Sequence, residues 1–190
     1  MGDDLSTGAK IGIGLVILCF LIAIVLSLLT VVKNITNSGA NQLESGLGQM
    51  MSTTYDDYDQ KLVTGTKVTS AIKLFSSEAV GIVVITGKCA SDGPKGGYCY
   101  GAQLSGYTSE TTADGVSFKC DTLANALKKN GTDTYFTAVQ ASPLTYCTNT
   151  KPISKSGGAQ FVRDNGKFLA ELIKDDTGTI IGICFTQQAT

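Results

Sequence analysis

The feature that most constrains this chain is a run of 22 residues without a charge, IGIGLVILCFLIAIVLSLLTVV at 11–32, bracketed by Lys10 and Lys33. A bilayer core is crossed by about 20 apolar residues in helical form. The run therefore reads as a hydrophobic transmembrane helix. It fits a cleaved secretory signal less well, because such signals carry a positive n-region and a shorter apolar stretch. Here Asp3 and Asp4 precede the run, no small-x-small cleavage pattern follows it, and Leu18 stands before Cys19 where a lipoprotein site needs a small residue. Lys10 and Lys33 flank it evenly, so the positive-inside rule barely sets its orientation.

The helical pattern continues past Lys33. Ala40, Leu43, Leu47 and Met50 or Met51 recur at steps of three and four, one face of a helix. Read without a break, residues 5–52 make a helix of roughly 72 Å at 1.5 Å per residue, with Asn37-Ser38-Gly39 as a kink point. The bland alternative is a shorter membrane helix and a loose stalk. The expected assembly face comprises Gly8, Gly12, Leu15, Leu18, Leu21, Ile22, Val25, Leu29 and Val32, extended by Leu43 and Leu47. Within it, Gly8-x-x-x-Gly12 has the small-xxx-small spacing that lets helices approach closely. The chain then divides into residues 1–52, the hydrophobic helix with its amphipathic extension, and residues 53–190, a globular domain.

Composition narrows the chemistry. There are 15 Lys+Arg against 16 Asp+Glu, and Arg163 is the only arginine, so no basic face is implied and no nucleic-acid contact is expected. Histidine is absent, which removes Ser-His-Asp and Cys-His catalysis and His-containing zinc sites. The sequence thus points to no catalytic residue, no cofactor and no metal, and the protein is not expected to be an enzyme. The acidic run Asp56, Asp57, Asp59 lacks the spacing and closing Glu of an EF-hand and reads as solvated.

Five of the six cysteines lie beyond the apolar run, in a Thr/Ser/Gly-rich region of low charge. That usage suits an oxidising compartment and places the domain outside the cell. Cys89 and Cys99 close a small Gly- and Pro-rich loop, and Cys120 and Cys147 bracket a helix and a loop, so these are the preferred cystines. Cys184 is left buried and reduced. Four cysteines allow three connectivities, and Cys184 in place of one of them opens more. Two N-x-S/T triplets occur, at Asn34 and Asn130. The first hugs the membrane, whereas Asn130 sits on an expected turn and is the candidate glycosylation site.

The domain reads as a short helix over 67–76, with Thr66 as N-cap, followed by a buried strand over 79–86 (AVGIVVIT). A strand over 98–104 and a helix over 120–129 come next. Three strands close the chain, at 160–163, 167–174 (KFLAELIK) and 179–187 (TIIGICFTQ), the last two joined by Asp175-Asp176-Thr177-Gly178. The expected fold class is α+β: a long N-terminal hydrophobic helix, then a small disulfide-stapled mixed α/β domain with a C-terminal antiparallel meander.

This order, with VTGTKVTSAIKLF before GIVVITG and the terminal hairpin DDTGTIIGICF, resembles the pilin-like proteins and pseudopilins of type IV and Tad-like systems, in particular small ones of Gram-positive bacteria. The chain departs from them at the processing site: Gly2 is followed by Asp3-Asp4, and position 7 is Thr7 where a Glu is expected. The resemblance implies a structural subunit of an extracellular pilus-like filament. Its hydrophobic helix would pack against copies of itself, and would be held in the membrane before assembly. The alternative function is a monomeric single-pass surface protein, an adhesin or a component of a secretion or conjugation machine. A membrane-tethered enzyme is the third reading, disfavoured by the missing histidine.

Overall fold

A computed structural model of the chain describes residues 55–129 and 131–189. The apolar run, its assembly face and the amphipathic extension all lie outside the described residues. Within them the protein is a nine-stranded mixed sheet with three short helices. The strands in chain order are β1 (Lys61–Thr64), β2 (Gly81–Ile85), β3 (Tyr98–Ala102), β4 (Thr108–Thr112), β5 (Gly115–Lys119), β6 (Phe136–Thr137), β7 (Tyr146–Cys147), β8 (Lys167–Lys174) and β9 (Ile180–Gln187). The helices are α1 (Gly65–Phe75), α2 (Gly87–Ser91) and α3 (Leu123–Ala126), with a 3-10 turn at Lys151–Ser154.

Across the sheet the order is β1-β8-β9-β2-β3-β5-β4, with β6 also on β8 and β7 on β3. The neighbours are antiparallel except β9 beside β2 and β6 beside β8. The centre of this sheet explains its most apolar segments. GIVVI of β2 is buried at every position, as a strand covered on both faces must be. β9 is buried from Ile181 to Phe185. One face carries Leu172, Ile183, Ile82 and Tyr100 side by side. Against it α1 turns Val68, Ala71, Ile72 and Phe75, all buried. The helix starts at Thr64, whose hydroxyl accepts from the Lys67 N–H, two residues before the Thr66 cap expected from the sequence. The opposite face carries Glu171, Cys184, Val83 and Cys99 in a row. Beside that row Gly182, Gly81 and Gly101 adjoin one another. A Cβ on Gly182 would come within 2.4 Å of the Gly81 carbonyl oxygen, and one on Gly81 would meet Leu104 at 2.8 Å. Glycine there admits the close approach of the covering segment.

The expected fold class is corrected on three points. First, the domain is predominantly sheet: the longest described helix has 11 residues, and among the described residues no helix is long and apolar enough to cross a membrane. The helix expected over 120–129 shrinks to Leu123–Ala126, four residues, because Leu127 and Lys128 leave it for extended backbone and Lys128 exchanges hydrogen bonds with Thr137. Second, the C-terminal strands are not a three-stranded meander. β8 and β9 form an antiparallel hairpin, but β9 then pairs parallel with β2, and residues 160–163 are not a strand. Gln160 is instead buried, accepting from the Tyr100 hydroxyl at 2.7 Å and donating to Ser117 Oγ at 3.2 Å. Third, nothing is stapled: Cys89, Cys99, Cys120, Cys147 and Cys184 are all free and buried.

Candidate functional site

All five domain thiols are free, which corrects both expected cystines, Cys89–Cys99 and Cys120–Cys147, and the register of the sheet keeps Cys99, Cys147 and Cys184 apart. Val83 faces Cys99 on β3 and Cys184 on β9, which sets those two cysteines two strand spacings apart, roughly 9.5 Å. A cystine needs Cα atoms within about 6.8 Å. Cys147 lies opposite Gly101, so Cys99 is its diagonal neighbour, about 7–8 Å away in such pairs. The thiols also have separate partners. Cys89 Sγ donates to the Ala159 carbonyl at 3.2 Å, Cys99 to Ala102 at 3.4 Å, and Cys120 to Thr122 at 3.0 Å. Burial pushes the Cys99 and Cys184 thiols up to about 12 and raises that of Cys147. The reactive species is the thiolate, so these groups pack as small apolar side chains. Cys184 is buried and unpaired, as the sequence suggests. Without cystines, the argument from cysteine usage to an oxidising compartment falls away.

The other candidate residues divide simply. Asn130 and the assembly face lie outside the described residues. Asp57 pairs with Lys61 at 3.7 Å on the surface, Asp56 and Asp59 are exposed, and among the described residues no group of three or more His, Cys, Asp or Glu is placed to hold a metal ion.

The most elaborate arrangement is where the chain enters the domain. Tyr55 stacks on Phe75 with ring centroids 5.7 Å apart, and Tyr58 meets Phe75 and Phe185 edge-on at 6.2 and 5.7 Å. The Lys67 ammonium sits 5.0 Å above the Tyr58 ring. Burial raises the Tyr55 and Tyr58 hydroxyls above their ordinary value, with Glu78 and Asp57 as the lesser causes. Two residues on, Gln60 takes a positive φ of 52°. Its Nε2 donates to Glu171 Oε1 at 3.1 Å and to the Thr134 carbonyl. Glu171 is 4% exposed in the middle of β8 and also receives the Lys129 ammonium, which lies 5.2 Å over the Phe136 ring. One carboxylate thus ties residue 60, the 129–136 segment and the sheet together. Sequence reasoning missed this hub. Its signal was a lone acid within the apolar strand KFLAELIK, since a buried charge needs a partner.

A cleft of about 390 Å³ lies between α1 and the 153–165 segment, lined by Thr69, Ile153, Phe161, Arg163, Asp164 and Asn165. Its walls mix apolar Ile153 and Phe161 with the Arg163 guanidinium, the Asp164 carboxylate and the polar Thr69 and Asn165. No family model matches this chain, and neither a curated protein nor a solved structure matches it.

Proposed function

We propose that the chain is a structural subunit of a pilus-like filament at the cell surface, assembled with copies of itself through the apolar segment 11–32. One observation carries the reading. The chain joins 22 uncharged residues to a domain that has a hydrophobic core of its own. An uncharged run of this length is stable where its surface is removed from water, in lipid before assembly and against other copies afterwards. The resemblance to pilin-like proteins supports the same arrangement, and the anchored stretch Tyr55–Gln60 gives the domain a firm hold on the chain that enters it.

The test is negative-stain microscopy of material sheared from cells, with antibodies raised against the domain. Labelled filaments are expected, and Leu21→Asp should abolish them, because an acid in an apolar core costs about 2.5–3.5 kcal/mol even on insertion scales. Recovery of the protein only from detergent extracts, or normal filaments from Leu21→Asp, would overturn the reading. The first outcome would favour a monomeric surface protein.

A further inference from the structure

The two edges of the sheet are complementary to each other. At one end is β1, at the other β4, the outermost strand of a two-residue-loop hairpin with β5. β4 is TSETT, exposed along nearly its whole length. It contains no Pro, no Lys and no bulge, three of the devices that natural sheets use to blunt an edge, and its one charge, Glu110, pairs with Lys119 of β5 at 2.9 Å.

The register shows which backbone groups point outward. The Cys120 N–H donates to the Gly97 carbonyl, so on β5 the even residues bond β3 and the odd ones bond β4. Antiparallel ladders alternate in this way. Thr108, Glu110 and Thr112 therefore pair inward, while Ser109 and Thr111 present N–H and C=O to the outside. On β1 the Gly65 N–H donates to the Gly166 carbonyl, so Lys61 and Val63 pair inward and Leu62 and the Thr64 N–H face out. Among the described residues no backbone group bonds these outward positions.

Three further properties match. Following the pairings across the sheet, β1 and β4 run in opposite senses, so β4 of one copy laid beside β1 of the next is antiparallel. Lys61 shares a sheet face with Glu110: the row Lys61, Ala170, Phe185, Val84, Tyr98, Lys119 and Thr108 is continuous, and Glu110 stands two residues from Thr108. Leu62, 67% exposed, shares the other face with Thr111 and with Val116, 45% exposed.

We propose that β4 of one copy pairs antiparallel with β1 of the next, Leu62 opposite Thr111 and Thr64 opposite Ser109. Leu62 and Thr111 exchange both backbone bonds, and the Thr64 N–H donates to Ser109. Val63 then faces Glu110, Lys61 lies diagonal to Glu110, and Leu62, Thr111 and Val116 form one row. Pairing β4 with itself across a two-fold centred on Glu110 would set Glu110 against Glu110, a like-charge contact. A head-to-tail joint joins two different edges, so each copy leaves one edge free for the next, and the joint propagates as a filament where its rotation does not close a ring. It is also short, and it forms where another attachment keeps copies at high effective concentration. In that respect it rests on the filament reading above.

The experiment is oxidative crosslinking of the full-length chain in sheared cell-surface material, carrying Leu62→Cys and Thr111→Cys together in a Cys19→Ser background. A ladder at multiples of the chain mass is expected from the double variant and not from either single variant or the Cys19→Ser parent, whose domain thiols are buried. Ser109→Pro in the same background should abolish the ladder while leaving the melt of the domain unchanged, because that N–H makes no bond within the sheet. Filaments without a ladder overturn the joint and leave the filament reading standing. A ladder without filaments does the reverse, and the absence of both overturns both. A dimer from Thr111→Cys alone, or a ladder that survives Ser109→Pro, overturns the head-to-tail pairing.

Discussion

The centre of the sheet and its β4–β5 wing use the same backbone pairing for opposite ends. In β2, β3 and β9 side chains of both parities are buried, and the residues are Ile, Val, Phe, Tyr, Cys and Gly. In β4 side chains of both parities meet solvent, and the residues are Thr, Ser and Glu. Both regions satisfy their ladders, so hydrogen bonding does not distinguish them. Burial does. About 25 cal/mol accrues per Å² of apolar surface removed from water, and β4 removes little, whereas β5 still buries Ser117 and Phe118. The centre holds the fold, while β4 adds little to it.

This contrast is broken or sharpened by substitution. The largest effect is expected at the centre. Phe185→Ala should cost about 3–5 kcal/mol and Ile183→Ala about 2–5 kcal/mol, read as a fall in the melting temperature of residues 55–190. A loss comparable to that of a wing substitution would remove the distinction between the regions.

Gly182→Ala comes next, at about 1–3 kcal/mol, because the added Cβ meets the Gly81 carbonyl at 2.4 Å and backbone has to move. An unchanged melt would mean that β2 and β9 do not approach this closely. Cys184→Ser should cost about 1–3 kcal/mol by placing a hydroxyl among apolar neighbours, less than Ile183→Ala beside it. The two faces of β9 are therefore both inside, and a register in which only one of these substitutions matters is excluded. In the same protein a thiol reagent should label none of the five domain cysteines while it is folded and all five once it is unfolded, without reductant. Protection that persists in denaturant would instead reveal cystines.

In the wing, Ser109→Ala and Thr111→Ala should stay within about 0.5 kcal/mol. A marked loss in the isolated domain would show that β4 carries stability of its own. The smallest effect belongs to the β8–β9 turn. The Thr177 hydroxyl, followed by the Thr179, Thr177 and Gly178 backbone N–H groups, holds the Asp175 carboxyl below its ordinary value. A lowered folded value stabilises the turn above the ordinary carboxylate pKa, and that stabilisation is lost as pH falls through the folded value. NMR titration should place Asp175 below a free aspartate, and Asp175→Asn should flatten this part of the acid dependence. A titration at or above the ordinary value would remove the contribution.

Particular residues show how much of this was legible. β8 and β9 stand where KFLAELIK and TIIGICFTQ indicate, and the Asp-Gly turn between them is written in the chain. β2 was readable from its unbroken apolar run and α1 from its helical spacing. By contrast β4 carries no apolar residue, the alternation Val116-Ser117-Phe118-Lys119 in β5 is only two apolar residues long, and β6 and β7 are two residues each, so pattern alone had little to count. The helix expected over 120–129 yields to pairing between Lys128 and Thr137, a contact between residues that local propensity cannot see. Of the candidate site, the entry clamp was invisible for the same reason: Gln60, Lys129 and Glu171 are far apart in sequence and meet only in the folded chain.

The sequence by itself determined the uncharged run at 11–32, the absence of histidine chemistry, the strongest strands and the turns between them. All of these depend on residue type and short-range periodicity. The tertiary structure alone decided that β9 inserts beside β2, which buries both of its faces. It also decided that the cysteines face carbonyls or, for Cys184, the Thr186 hydroxyl and not one another, and that Leu62 and Thr111 share one sheet face at opposite edges. Those outcomes depend on strand order and register, and register is set by every pairing in the sheet at once.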